Sequence, residues 1–261
     1  MQKVFNTLIK SISKIDQVQS IGKTGSEKLI KSTENDVDVF IFSNEIPDFG
    51  IRKNLYEGSK KIKLTETQNF KSKHWGNVDI LEIDGTEICL MYFSTLKTVK
   101  EIDTILAGSR IKKEENYFYP VGRCATIKSI NILFDKNLFL QGLKDKLSIY
   151  PKTLHDKSME YHIKNLIDME DLERAVAMQD VVFYHFALDI SMDYFLQLLF
   201  NKNYCFFPSR KRNISLMEQM QSKPKNCTNR ILEVIKLGGN VNSLNKSYEK
   251  WKKLCEELIA N

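Results

Sequence analysis

Proline and glycine are scarce in this chain, 5 and 11 of 261 residues, which argues against long disordered tracts. Cysteine is scarce too. Cys89, Cys124, Cys205, Cys227 and Cys255 are odd in number, widely scattered, and make no C-x-x-C or Cys/His grouping at zinc spacing. They read as reduced thiols of a cytoplasmic protein rather than a disulfide framework. No apolar run reaches the roughly 18 residues a membrane helix needs, and residues 1–14 are amphipathic, unlike a signal peptide. Histidine offers little: His155 and His162 are too far apart for an i, i+4 metal pair, and no Ser-His-Asp or Cys-His arrangement stands out.

What the chain does have is 42% hydrophobic and 10% aromatic residues, enough for a substantial core, and a net charge of +6. That charge suits an anionic substrate such as a nucleoside triphosphate. It is too diffuse to make nucleic acid the favoured partner.

The most informative stretch is residues 20–43, S-I-G-K-T-G-S-E-K-L-I-K-S-T-E-N-D-V-D-V-F-I-F-S. A short strand over 18–24 delivers Gly25-Ser26, and a helix over 26–32 would turn its N-terminal N–H groups toward an anion. Glycine lets a phosphate approach the backbone closely, and Ser26 adds a hydroxyl donor. Nine residues on, Asp36 and Asp38 enter the run Val39-Phe40-Ile41-Phe42. Alternation places both carboxylates on one side of the strand. Two carboxylates so placed repel unless a cation lies between them, and their hard oxygens suit Mg²⁺. Lys23, Lys28 and Lys31 surround the turn, where one can reach phosphate.

Gly25, Ser26, Asp36 and Asp38, at this spacing before a strand, resemble the signature of the DNA polymerase β-like nucleotidyltransferase superfamily. The resemblance implies an α/β (α+β) nucleotidyltransferase core with a small mixed sheet. It also implies transfer of a nucleoside monophosphate, AMP from ATP, to a hydroxyl acceptor. Asp36 and Asp38 would hold Mg²⁺, two ions in all, and Gly25, Ser26 and Lys28 would bind the triphosphate.

A third carboxylate is then called for on a neighbouring strand. Residues 78–83 and 86–93 flank Asp84-Gly85, a strong hairpin signal. A two-residue turn there sets Glu82 opposite Glu87 and Ile80 opposite Cys89, with Leu81, Ile83, Ile88, Leu90 and Tyr92 on the core face. Asp79 has the apolar-Asp-apolar setting but shares the core parity. Glu87 lies on the polar face. Some relatives carry the acid where this chain has Cys89, and a thiol is a poor Mg²⁺ ligand. Asp79 is the preferred third acid, with Glu87 close behind.

Periodicity makes residues 2–15 and 96–106 amphipathic helices, leaves 51–65 ambiguous, and ends the catalytic part near 120. The rest reads as an all-α bundle, giving domains 1–120 and 121–261, with a long apolar pattern over 169–201 that breaks near Asp180. Tyr150-Pro151 and the stretch A-L-D-I-S-M-D-Y-F-L-Q-L-L-F-N-K-N-Y followed by F-F-P-S-R-K-R are similar to antibiotic-type and uncharacterised bacterial nucleotidyltransferases, whose helical part binds the acceptor. Arg210, Lys211 and Arg212 serve equally as ligands of the triphosphate or of an acidic acceptor, with Lys211 at the matching place, or as a solvated charge run. Asp168, Glu170, Asp171 and Glu173 form an acidic cluster that would suit a cationic acceptor, or simply start a helix. The acceptor stays open between a small molecule such as an antibiotic, RNA and a protein side chain. Cys89 also motivates a different class, a nucleotide- or partner-binding module with weak or no catalysis.

Overall fold

The computed structural model describes residues 1–24, 37–72, 74–211 and 213–260. Its elements run α1 (Gln2–Ile12), β1 (Val18–Lys23), β2 (Val37–Ser43), α2 (Phe49–Glu57), β3 (Ile62–Ser72), β4 (Gly76–Ile83), β5 (Thr86–Ser94) and α3 (Thr95–Leu106). They continue as α4 (Pro120–Ser129), β6 (Asn131–Asp135), α5 (Phe139–Lys146), α6 (Lys152–Leu166), α7 (Glu170–Ala177) and α8 (Val181–Lys202). The chain closes with α9 (Asn213–Glu218), α10 (Cys227–Gly238) and α11 (Leu244–Ala260).

Two compact units emerge. One comprises Met1–Thr104 and Arg123–Ile149, the other Ile105–Gly122 and Tyr150–Asn261. These limits differ from a single division at 120/121. The chain leaves the first unit within α3 and returns within α4, because β6 and α5 complete the sheet.

In the first unit the six strands are ordered β3-β4-β5-β2-β1-β6. Only β2 and β5 run parallel among these neighbours; the other pairs are antiparallel, so the sheet is mixed as expected. The β4–β5 hairpin has the anticipated register, Ile80 opposite Cys89 and Glu82 opposite Glu87. Asp84 (φ 51°) and Gly85 (φ 78°) both take positive φ, as a type I′ turn requires.

Alternation divides the sheet into two faces. Val37, Val39 and Ile41 join Leu81, Ile83, Ile88, Leu90 and Tyr92 in one core with Phe5, Leu8, Ile9 and Ile12 of α1 and Tyr56 of α2. On the other face Phe40 and Phe42 each lie 5.8 Å from the Phe93 ring, and Phe42 lies 5.9 Å from Phe139 of α5. Gly22 makes room there: a Cβ on it would stand 2.5 Å from Cδ1 of Ile130. The Asp135 carboxylate accepts from the backbone N–H of Leu140 (2.9 Å) and Gln141 (2.8 Å) and from Ser20 Oγ (2.6 Å), tying the start of α5 to β1.

The second unit is helical. Its core gathers around α8, with Phe195 and Trp251 rings 5.0 Å apart and Trp251 Nε1 donating to Ser191 Oγ at 2.8 Å. The expected break lies between α7 and α8, where Asp180 accepts from the Phe183 N–H at 2.9 Å as N-cap. No described helix is long and apolar enough to cross a membrane.

Candidate functional site

Gly25, Ser26, Lys28 and Asp36 lie outside the described residues, so the site is built from what flanks them. Asp38 sits near the start of β2, half-buried, on the face opposite the α1 core. Its neighbours Val37, Val39 and Phe40 are buried at 8%, 0% and 3%, so Asp38 is the half-buried position in an otherwise buried strand. Thr24, which ends the approach from β1, donates its N–H to the Asp38 carbonyl at 3.1 Å. Thr24, the last residue described on that side, therefore lies beside Asp38. Lys23 faces the other way. It pairs with Val39 and is buried, on the face opposite Asp38.

Across the parallel pair, Asp38 stands directly opposite Cys89. Paired residues on adjacent strands share a face, and both side chains are half-buried. On the far side Cys89 faces Ile80 of β4. One row of the sheet thus carries a hydroxyl (Thr24), a carboxylate (Asp38), a thiol (Cys89) and an alkyl group (Ile80).

The structure does not bring Asp79 to this row, which corrects the preference for it as third acid. Asp79 pairs with Leu90 and points to the opposite face, fully buried. There it accepts from the Tyr56 hydroxyl at 2.6 Å, and Tyr56 is 2.9 Å from the Tyr92 hydroxyl. Arg52 Nη1 lies 3.3 Å from the same carboxylate, and the guanidinium stacks 4.9 Å over the Tyr92 ring. Burial pushes the Asp79 carboxyl above its ordinary range, against the opposing pull of the Tyr56 hydrogen bond and the Arg52 charge. Burial likewise raises both tyrosines. This network anchors α2 under the sheet. Glu87 is exposed, on the Cys89 face two residues earlier in β5, opposite Glu82.

Whether these residues fit Mg²⁺ divides by residue. The Asp38 carboxylate supplies the hard oxygen this ion prefers, whereas the Cys89 thiol beside it does not. Among the described residues no group of three or more His, Cys, Asp and Glu side chains converges as a metal site.

In the second unit Lys211 is exposed, with its N–H bonded to Ser209 Oγ at 3.2 Å. Its neighbour Arg210 is committed elsewhere, to Asp193 (2.9 Å) and to both oxygens of Asp189 (2.9 and 2.8 Å). Asp193 also accepts from the Tyr119 hydroxyl at 2.5 Å and lies 3.2 Å from Lys113 Nζ. Sequence reasoning missed this cluster. The signal was an aspartate at a core position of an apolar helix, which needs partners supplied from afar. Of the acidic cluster, Asp168, Glu170 and Asp171 line a cavity of about 260 Å³ with Asn165, Ser191 and Tyr194, while Glu173 accepts from the Tyr248 hydroxyl at 2.5 Å.

No family model and no curated protein matches this chain. A solved structure does: a nucleotidyltransferase-like protein from Exiguobacterium sibiricum 255-15 aligns over 100% of this chain and 74% of its own. The TM-score is 0.52 at 10% sequence identity, a likeness of fold. The sheet and its helices therefore define a nucleotidyltransferase-like fold.

Proposed function

We propose that this protein is a nucleotidyltransferase that moves a nucleoside monophosphate, AMP from ATP, onto a hydroxyl of a small-molecule acceptor in the cytoplasm. The observation that carries this reading is the place of Asp38. It is a carboxylate at the start of a strand, on the sheet face away from α1, beside Thr24 of the approaching strand. The fold likeness supports the same reaction class.

Asp36 and Asp38 would hold a divalent cation, Mg²⁺ on the superfamily resemblance. When bound, such an ion neutralises triphosphate charge and aligns the leaving oxygen. The backbone at Gly25 and the Ser26 hydroxyl would bind the β- and γ-phosphates, with Lys28 adding charge. With Asp79 on the other face, Glu87 is the carboxylate left to orient or deprotonate the acceptor hydroxyl. The helical unit would bind the acceptor, and its carboxylate-lined cavity suits an amine on that molecule.

Pyrophosphate release, measured with all four triphosphates against a panel of hydroxyl acceptors, tests the proposal. Asp38→Asn is expected to slow release by at least about 100-fold, since metal-borne charge stabilisation is worth several kcal/mol. Release that survives this substitution would refute the assignment. The second reading, a module that binds nucleotide without transferring it, is favoured by Cys89 beside Asp38. Calorimetric binding of Mg-ATP that weakens in Asp38→Asn, with no pyrophosphate from any acceptor, would establish that reading instead.

A further inference from the structure

We infer that the groove between α1 and α2 is a second binding site, one that takes a medium-chain carboxylate, an anionic head on an apolar body. It lies on the α1 side of the sheet, opposite the face that carries Asp38, so it does not depend on the transfer reading.

The cavity there holds about 450 Å³, within the roughly 300–1,000 Å³ of small-molecule sites. On its floor Leu8 belongs to the buried core, and Val4, Leu55 and Ile62 pack against that core half-buried. Lys3 of α1 and Lys61, just before β3, line the cavity, and no carboxylate does. Among the described residues neither lysine makes an ion pair, whereas Lys53 of α2 is paired with Glu57 at 3.5 Å. The surroundings add charge of the same sign. Residues 1–15 hold Lys3, Lys10 and Lys14, residues 58–65 hold Lys60, Lys61 and Lys63, and neither stretch has an acidic residue. Lysine stems extend an apolar wall while their ammonium groups stay at the rim. A carboxylate with an apolar body therefore gains burial and a countercharge together, and a neutral ligand gains only the first. Phosphate fits poorly. The lining has no arginine fork, and it includes Gly58, the C-cap of α2, where the helix dipole opposes a doubly charged anion. From Lys3 to Ser11 the α1 wall runs about 12 Å, which sets the length of the body. Bound there, the ligand braces α2, whose Arg52 and Tyr56 hold Asp79 under the sheet.

Calorimetric titration of decanoate into the full chain, below its micelle-forming concentration, tests the inference. Saturable binding is expected. Hexanoate should bind at least about 10-fold more weakly, since each buried methylene is worth up to roughly 4-fold. Decanol should also lose about 10-fold or more, the worth of a hydrogen bond to a charged group, and inorganic phosphate should not compete. Lys3→Glu combined with Lys61→Glu should weaken decanoate by about 10-fold or more, with the fold kept because both side chains are exposed. Ser11→Phe, which fills the groove and leaves its charge alone, should weaken decanoate and decanol alike. Absence of saturable decanoate binding, an affinity indifferent to the double charge reversal, or decanol binding as tightly as decanoate would overturn the inference. The outcome is separable from transfer: Asp38→Asn should bind decanoate as the parent protein does, whatever becomes of its pyrophosphate release.

Discussion

Asp79 and Asp38 occupy similar settings in sequence, each an aspartate between apolar neighbours at a strand, yet they end on opposite faces of one sheet. Parity along β4 already marked Asp79 as core-facing, and parity proved the better guide than the local motif. A buried carboxylate needs partners, and these come from Arg52 and Tyr56 of α2, in a segment whose secondary structure the sequence left ambiguous. Asp79→Asn abolishes the titration of this carboxyl while keeping an acceptor for the Tyr56 hydroxyl. The pH signature of Asp79 has a definite sign. The folded Asp79 carboxyl titrates above its unfolded value, so its favourable contribution is complete below the ordinary aspartate range. That contribution is lost as pH rises through the folded value. Urea unfolding followed by hydrogen exchange at β4 and β5 should show this slope in the parent protein and its absence in Asp79→Asn.

Helices and strands with a continuous apolar pattern were legible, and short elements were not. The hairpin around Asp84-Gly85 and the break at Asp180 follow from local chemistry, a pair tolerant of positive φ and a side chain able to cap. Asp180→Ala should lower the melting stability of the helical unit by about 0.5–2 kcal/mol, the usual loss for an N-cap, while exchange protection in the β-sheet stays as it was. A uniform loss across both units would count against this account. Strand β6 escaped prediction because its five residues have a burial pattern with no fully buried position. Only its pairing with β1, made possible by the bare backbone at Gly22, makes it a strand.

At the scale of the whole molecule, two units built on different cores carry ionisable groups that respond oppositely to pH. In the helical unit burial lowers His162 from 6.5 to about 4, opposed by the Asp193 charge. A histidine depressed on folding binds fewer protons than in the unfolded chain between those values, so stability falls as pH drops through that window. The slope is at most about 1.4 kcal/mol per pH unit for a single proton. Trp75 belongs to the sheet unit and Trp251 to the helical unit, and they are the chain's only tryptophans. Urea unfolding of Trp75→Phe, read from Trp251 fluorescence, should show the acid-side loss, and His162→Gln should flatten it.

By itself the sequence determined the strand that holds Asp38, the hairpin register that sets Ile80 against Cys89, and the helical character of the second half. Each rests on periodicities and turn chemistry that act over a few residues. Only the tertiary structure decided which strands became neighbours. Alternation assigns a side chain to one of two faces, but the pairing of β2 with β5 comes from how the sheet closes over distant segments. That pairing put Cys89, and not a carboxylate, beside Asp38. It also left Asp79 in the core, because a strand can present each residue to only one side.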